Sequence, residues 1–214
     1  MQIPGLLSRE INMRAMFTGI VWSATAAAVF TTVSLGGGCG SAPKKPELSP
    51  VKVEAPDAGT VFWQVGNFYI AGQPSPKGFE AMKGRGVRTV VNLRPAEEQK
   101  GFDEKSAVEG LGLGYVSIPV TPQILSDAKA DELVAALKAA KKPVLIHCAS
   151  ANRASALWAV YLGANYGLPP DEAIGLAETS GLKSGDLKSF VKGYLERTRE
   201  ARGGPSKAEK EASP

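Results

Sequence analysis

Between residues 60 and 200 the chain alternates two kinds of apolar periodicity. Short apolar runs bounded by turn residues predict strands over 61–65, 68–71, 88–93, 115–120 and 144–147. The first two flank Gly66-Asn67, a pair suited to a hairpin turn. Longer segments repeat at helical spacing. Ala130, Leu133, Val134 and Leu137 share one face of a predicted helix over 127–140. Leu157, Val160, Tyr161 and Ala164 do the same over 153–166. Further helices are predicted over 76–83, 103–110, 170–179 and 187–199, with Gly84-Arg85-Gly86 stopping the first. Trp63 and Trp158 read as core. The fold class is α/β: a mostly parallel central sheet flanked by helices on both faces, with no internal repeat. Ligands on such sheets sit off the carboxyl ends of the strands.

The two ends of the chain do not share this alternation. Residues 15–35 are apolar or small and uncharged, with Arg9, Glu10 and Arg14 before them and Gly36-Gly37-Gly38-Cys39 after. This is the layout of an export signal. The small residues before Cys39 suggest a lipoprotein signal, with Cys39 as the lipidated residue, although Leu35 lies one position early and Gly36 holds the usual leucine site. An uncleaved anchor is the alternative. Residues 1–39 are therefore read as signal, 40–57 as a flexible tether rich in Pro and Lys, 58–200 as the folded domain and 201–214 as a disordered tail. The expected location is exported and membrane-anchored, and Trp22 belongs to the signal. The lipid reading accounts for both cysteines without a disulfide. A net charge of +4, partly carried by the tails, does not argue for nucleic acid.

The chemistry concentrates where the 144–147 run ends, in His147-Cys148-Ala149-Ser150-Ala151-Asn152-Arg153. A buried strand delivers Cys148, and the backbone N–H groups of residues 149–152 curl toward the positive end of a helix. Cysteines in such positions are held toward the thiolate, the form that attacks. Arg153 adds a planar fork for two oxygens of a tetrahedral anion. A buried packing cysteine is the bland alternative. Asn92 and Arg94 fall at a neighbouring strand end and are candidate substrate contacts, although a turn hydrogen bond and a surface cation explain them as well. With one histidine and one other distant cysteine, no metal site is expected, and there is no Gly-rich nucleotide fingerprint.

These residues, with Ala71-Gly72-Gln73-Pro74-Ser75, 87–95 and 113–120, resemble the cysteine-dependent phosphatases of the tyrosine and dual-specificity type. The branch most resembled is the bacterial beta-lactamase-hydrolase-like phosphatase family, over roughly 60–168. The resemblance implies a metal- and cofactor-free phosphocysteine mechanism. Cys148 would be the nucleophile and Arg153 the phosphoryl clamp. Ala149, Ser150, Ala151 and Asn152 would form the phosphate loop, supported by His147 and Ser155. The partner would be a phosphorylated substrate of unknown class.

Several positions depart from the wider family. Four residues separate Cys148 from Arg153 where tyrosine phosphatases have five, a spacing shared with rhodanese-type sulfurtransferases. Ala151 stands at a loop position where glycine is usual. Ala154 follows Arg153 where a hydroxyl is usual, and Ser155 comes one step late. The loop at 121–123 carries no carboxylate for the general acid. Asp127 is the next candidate, but Ser126 reads as a helix cap and Asp127 as its first-turn anion, the stronger reading. Glu97 and Glu98 are further candidates or simply a solvated turn. Gln73 and Ser75 fit a strand-to-helix turn without function. A phosphatase is the leading expectation, a catalytically weak phosphate-binding module the second and a sulfurtransferase the third.

Overall fold

The computed structural model describes residues 48–121 and 123–203. Residues 1–47, with Cys39 and the predicted signal, and residues 204–214 of the tail lie outside the described residues. The sheet has six strands: β1 (Val51–Val53), β2 (Phe62–Val65), β3 (Phe68–Ala71), β4 (Thr89–Asn92), β5 (Gly114–Ser117) and β6 (Val144–His147). Their order is β1-β2-β3-β6-β4-β5. β3, β6, β4 and β5 run parallel, while β1 and β2 extend the sheet antiparallel through the Gly66-Asn67 hairpin. Gly66 takes φ 52°, the positive value the tight turn needs.

β3, β4 and β6 are buried at every residue, so their sequences read as continuous apolar runs rather than alternations. Successive side chains still point to opposite faces. Ile70, Val91, Val144 and Ile146 join a core built with α3 (Asp127–Ala139), α4 (Asn152–Tyr166), α5 (Pro170–Ser180) and α6 (Gly185–Ala201). Tyr69, Val90 and Leu145 face the other way, toward α1 (Pro76–Gly84) and α2 (Glu104–Gly110), where they meet Phe79, Met82 and Val108. α4 is enclosed along most of its length, from Ala154 to Ala164, which explains its weak amphipathicity. α6 crosses it closely: a Cβ on Gly163 would lie 2.4 Å from Leu195 Cδ2. Among the described residues no helix is long and apolar enough to cross a membrane.

Two boundaries differ from expectation. The folded unit begins before residue 58, because β1 pairs with β2 inside the stretch read as tether. Only Val53 of that strand is buried, and its flanking prolines, Pro50 and Pro56, give the segment a linker composition. β5 stops at Ser117, before Pro119, yet Ile118 and Val120 remain buried and donate to the Asn92 and Leu93 carbonyls at 2.9 and 3.0 Å. Proline has no N–H to continue the ladder.

Candidate active site

β6 lies between β3 and β4, so its carboxyl end opens at the middle of the sheet. The loop that follows is tied to the end of β3. Cys148 N–H donates to Ala71 O at 3.4 Å, and Gln73 N–H to Ala149 O at 3.2 Å. Gly72 bridges Ser150, and a Cβ on Gly72 would come within 3.1 Å of Ala149 O, so this close approach requires glycine. Ala151 caps α4 at φ 67°, the left-handed conformation in which glycine would be expected. The loop accepts that strain to turn the chain into the helix.

Arg153 lies against Cys148. Its Nη1 donates to Val120 O at 2.7 Å and its Nη2 to Glu98 Oε2 at 2.6 Å. Burial alone would lower the guanidinium pKa, but the Glu98 carboxylate and Cys148 raise it above its usual value. Glu98 sits on a short 3-10 turn, Ala96–Glu98, that follows β4. Cys148 is fully buried, while Ser150, Asn152 and Arg153 line a cavity of about 360 Å³. Val120, Leu125, Leu187 and Phe190 give that cavity an apolar wall, and Asp186 is the one carboxylate among the described residues that line it.

The residues at the end of β4 do not face this cavity. Asn92 is fully buried: its Nδ2 donates to the Tyr115 hydroxyl at 2.8 Å and its Oδ1 accepts from Arg94 N–H at 2.8 Å. Arg94 donates to Gln73 Oε1 and lies 3.8 Å from Glu104 Oε2. The strand-end position predicts substrate contact for both. In the structure both belong to a buried polar cluster that backs the loop, in which Arg94 Nε is left without a hydrogen-bond partner. Asn152 is also committed through its side chain, since Oδ1 accepts from Lys183 and Ser184 N–H at 2.8 and 3.2 Å. Its backbone remains part of the loop. Ser155 is buried and accepts from Ser180 Oγ at 3.1 Å, which joins α4 to α5 behind the loop. Asp127 is not brought to the site. It holds Arg197 with both carboxylate oxygens, at 2.7 and 3.0 Å, in the first turn of α3 capped by Ser126.

Glu104 is the organising residue that the sequence pattern does not single out. Only 3% exposed, it accepts from Gln73 Nε2 at 2.6 Å and from the Tyr115 hydroxyl at 3.2 Å, and meets His147 Nε2 at 3.0 Å. A carboxylate only accepts, so His147 carries its proton on Nε2. Burial pushes the Glu104 carboxyl up, but the hydrogen bonds from His147, Gln73 and Tyr115 outweigh burial and hold it below its usual range. The Tyr115 hydroxyl is pushed up to about 12, first by burial and then by Glu104, so it stays a donor. His147 thus reaches back to a fixed carboxylate one residue before Cys148.

This arrangement predicts a large stability effect with a defined pH window. Removing one partner of a buried charged cluster costs about 3–5 kcal/mol, and Glu104→Gln is expected in that range by urea denaturation at pH 7. The folded pKa of Glu104 is depressed, so its stabilising contribution is fully present above the unfolded value near 4.5 and is lost as pH falls through the folded value. The acid-side fall of wild-type stability should therefore shrink in Glu104→Gln. Equal slopes for the two proteins below pH 4.5 would remove Glu104 from this role.

Residues 62–164 match the family model described as beta-lactamase hydrolase-like protein, phosphatase-like domain. The beta-lactamase hydrolase-like protein of Xylella fastidiosa (strain Temecula1) is 32% identical over 127 residues, 58% of this chain and 30% of that protein. This chain thus spans under a third of the curated relatives' length. A DUF442 protein of Shewanella putrefaciens CN-32 superposes with TM-score 0.55 at 26% identity, covering 64% of this chain and 87% of that one. TpbA of P. aeruginosa, solved as a cysteine-to-serine variant in complex with pTyr, shares the fold at TM-score 0.60 and 18% identity over 74% of this chain and 98% of that one. Residues 62–164, with the Cys148–Arg153 loop between β6 and α4, are thus similar to the phosphatase-like domain of the beta-lactamase hydrolase-like proteins.

Proposed function

We propose that this chain is a cysteine-dependent phosphatase that hydrolyses phosphate monoesters through a phosphocysteine. The observation that carries the reading is the four-residue loop at the central strand end, which sets Cys148 directly after β6 and Arg153 in the first turn of α4 on the wall of the cavity. The phosphoryl group takes over the guanidinium N–H groups now donated to Val120 O and Glu98, and the 149–152 amides complete the cradle. Cys148 Sγ attacks phosphorus as the P–O bond to the leaving oxygen breaks. Water then attacks the phosphocysteine, the S–P bond breaks, and inorganic phosphate leaves with the thiolate restored. The apolar wall of Leu125, Leu187 and Phe190 suits a monoester with an apolar group on the oxygen. The test is hydrolysis of p-nitrophenyl phosphate by the wild type, inhibited by vanadate and resistant to chelator, beside Cys148→Ser.

The placement of Asp127 on Arg197 favours a second reading, a phosphate-binding module without turnover. Phosphate binding with no hydrolysis from pH 4 to 9 would select it. A rhodanese-type sulfurtransferase shares the loop spacing, and transfer of sulfur from thiosulfate to cyanide would select that.

The tether belongs to the proposal as well. The uncharged 15–35 run followed by Cys39 supports export and lipid attachment at that cysteine. The protein should partition into the detergent phase of a Triton X-114 extract and leave it in Cys39→Ser. Unchanged partition would return the reading to an uncleaved anchor, and a wholly aqueous wild type would end it.

A further inference from the structure

We propose that Asp186, in the first turn of α6, is the general acid that protonates the leaving oxygen. The assignment rests on the phosphatase reading and supplies the group which that reading lacks. Breaking the P–O bond of an unactivated ester leaves an oxyanion, and a positioned acid contributes about 10²–10⁴-fold by delivering a proton to it.

The described carboxylates near the loop can be separated by what holds them. Glu98 is bound to the Arg153 guanidinium, 2.6 Å from Nη2, and has Arg94 Nε at 3.9 Å. Both guanidinium groups lie against the same carboxylate oxygen, Oε2, which the Arg153 hydrogen bond occupies. Glu104 is buried in the cluster behind His147 and accepts three hydrogen bonds. Asp127 is engaged by Arg197. Glu178 lines the cavity on the far side of the loop and pairs with Lys188 at 2.5 Å. Asp186 alone lines the cavity that Arg153 lines, beside Leu125, Leu187 and Phe190. Its carboxylate has no hydrogen-bond or ion-pair partner among the described residues.

A helix-dipole role accounts for an acid in this first turn. It does not account for its position on the wall of this cavity, and the capping hydrogen bond is already made by Ser184 Oγ, which accepts from Leu187 N–H at 3.3 Å. α6 is fixed relative to the loop by Asn152, which accepts from Lys183 and Ser184 N–H just ahead of Asp186. A side chain of the loop itself therefore sets the register of the acid. In the first half-reaction the Asp186 carboxyl gives its proton to the leaving oxygen as the S–P bond forms and the P–O bond breaks. In the second, its carboxylate takes a proton from the attacking water as the new P–O bond forms and the S–P bond breaks.

The test compares p-nitrophenyl phosphate, whose leaving group needs little help, with phenyl phosphate, whose leaving group needs a proton. In Asp186→Asn, kcat/KM should fall about 10²–10³-fold for phenyl phosphate and less than about 10-fold for p-nitrophenyl phosphate. Asp186→Glu should recover part of the phenyl phosphate rate. Equal losses on both esters, the result of a role through the helix dipole alone, would overturn the assignment, and so would unchanged rates. Cys148→Ser is run in parallel on both esters. Wild-type turnover that depends on Cys148 keeps the phosphatase reading whatever Asp186→Asn does, whereas a wild type without it overturns that reading and this assignment together.

Discussion

Cys148→Ser is expected to lower p-nitrophenyl phosphate turnover by at least about 10⁴-fold while leaving the fold and phosphate binding in place. The reason lies in what surrounds the residue. A hydroxyl stays protonated at neutral pH and needs an adjacent base to become a nucleophile. The only histidine in the chain is next in sequence, but its Nε2 is bonded to Glu104, and among the described residues no carboxylate is hydrogen-bonded to residue 148. Serine therefore has no base to activate it, whereas a thiolate needs none. The substitution itself is small. It places a hydroxyl in a fully buried position, at a cost of about 1–3 kcal/mol. Arg153 and the 149–152 amides are untouched, so inorganic phosphate should bind Cys148→Ser within about threefold of wild type by calorimetry. Turnover retained above a tenth of wild type would end the phosphocysteine mechanism. Loss of phosphate binding together with turnover would show that Cys148 holds the loop's shape rather than supplying its chemistry.

The elements most legible in the sequence are those set by local contacts. Helix caps at Ser75 and Ser126 each accept a hydrogen bond from the residue three positions on. The hairpin turn is encoded by its own two residues. The nucleophile loop is readable because strand, loop and helix are contiguous. What the local pattern does not show depends on pairs distant in sequence. β1 is defined by its pairing with β2, which sets Lys52 opposite Trp63. Glu104 sits 43 residues from His147, and its neighbours make it look like an ordinary first-turn anion. Glu98 lies 55 residues before Arg153 and reads as a surface turn until the fold brings them together. Asn92 and Arg94 are the converse case. Their position at a strand end predicts substrate contact, but Gln73, Tyr115 and Glu104 reach them first. For Asp127 the local signal is sufficient, and the helix explains it fully.

Arg153→Lys should lower kcat/KM for p-nitrophenyl phosphate by about 10²–10³-fold, with the loss divided between kcat and phosphate affinity. Lysine keeps the charge but not the fork. Arg153 now spans two acceptors at once, Val120 O and Glu98 Oε2, from two nitrogens in one plane. One ammonium cannot reproduce that geometry or present two parallel N–H groups to equatorial phosphoryl oxygens, so a charge-conserving change removes most of the transition-state contact. The role of Glu98 follows from the same geometry and can be separated from it. If Glu98 acts by aiming the guanidinium, Glu98→Gln costs activity only while arginine is present, and the double variant is no slower than Arg153→Lys alone. Additive losses would instead give Glu98 its own contact with substrate. An Arg153→Lys protein with wild-type kcat/KM would remove bidentate clamping from the mechanism, because charge alone would then account for everything this residue does at the loop.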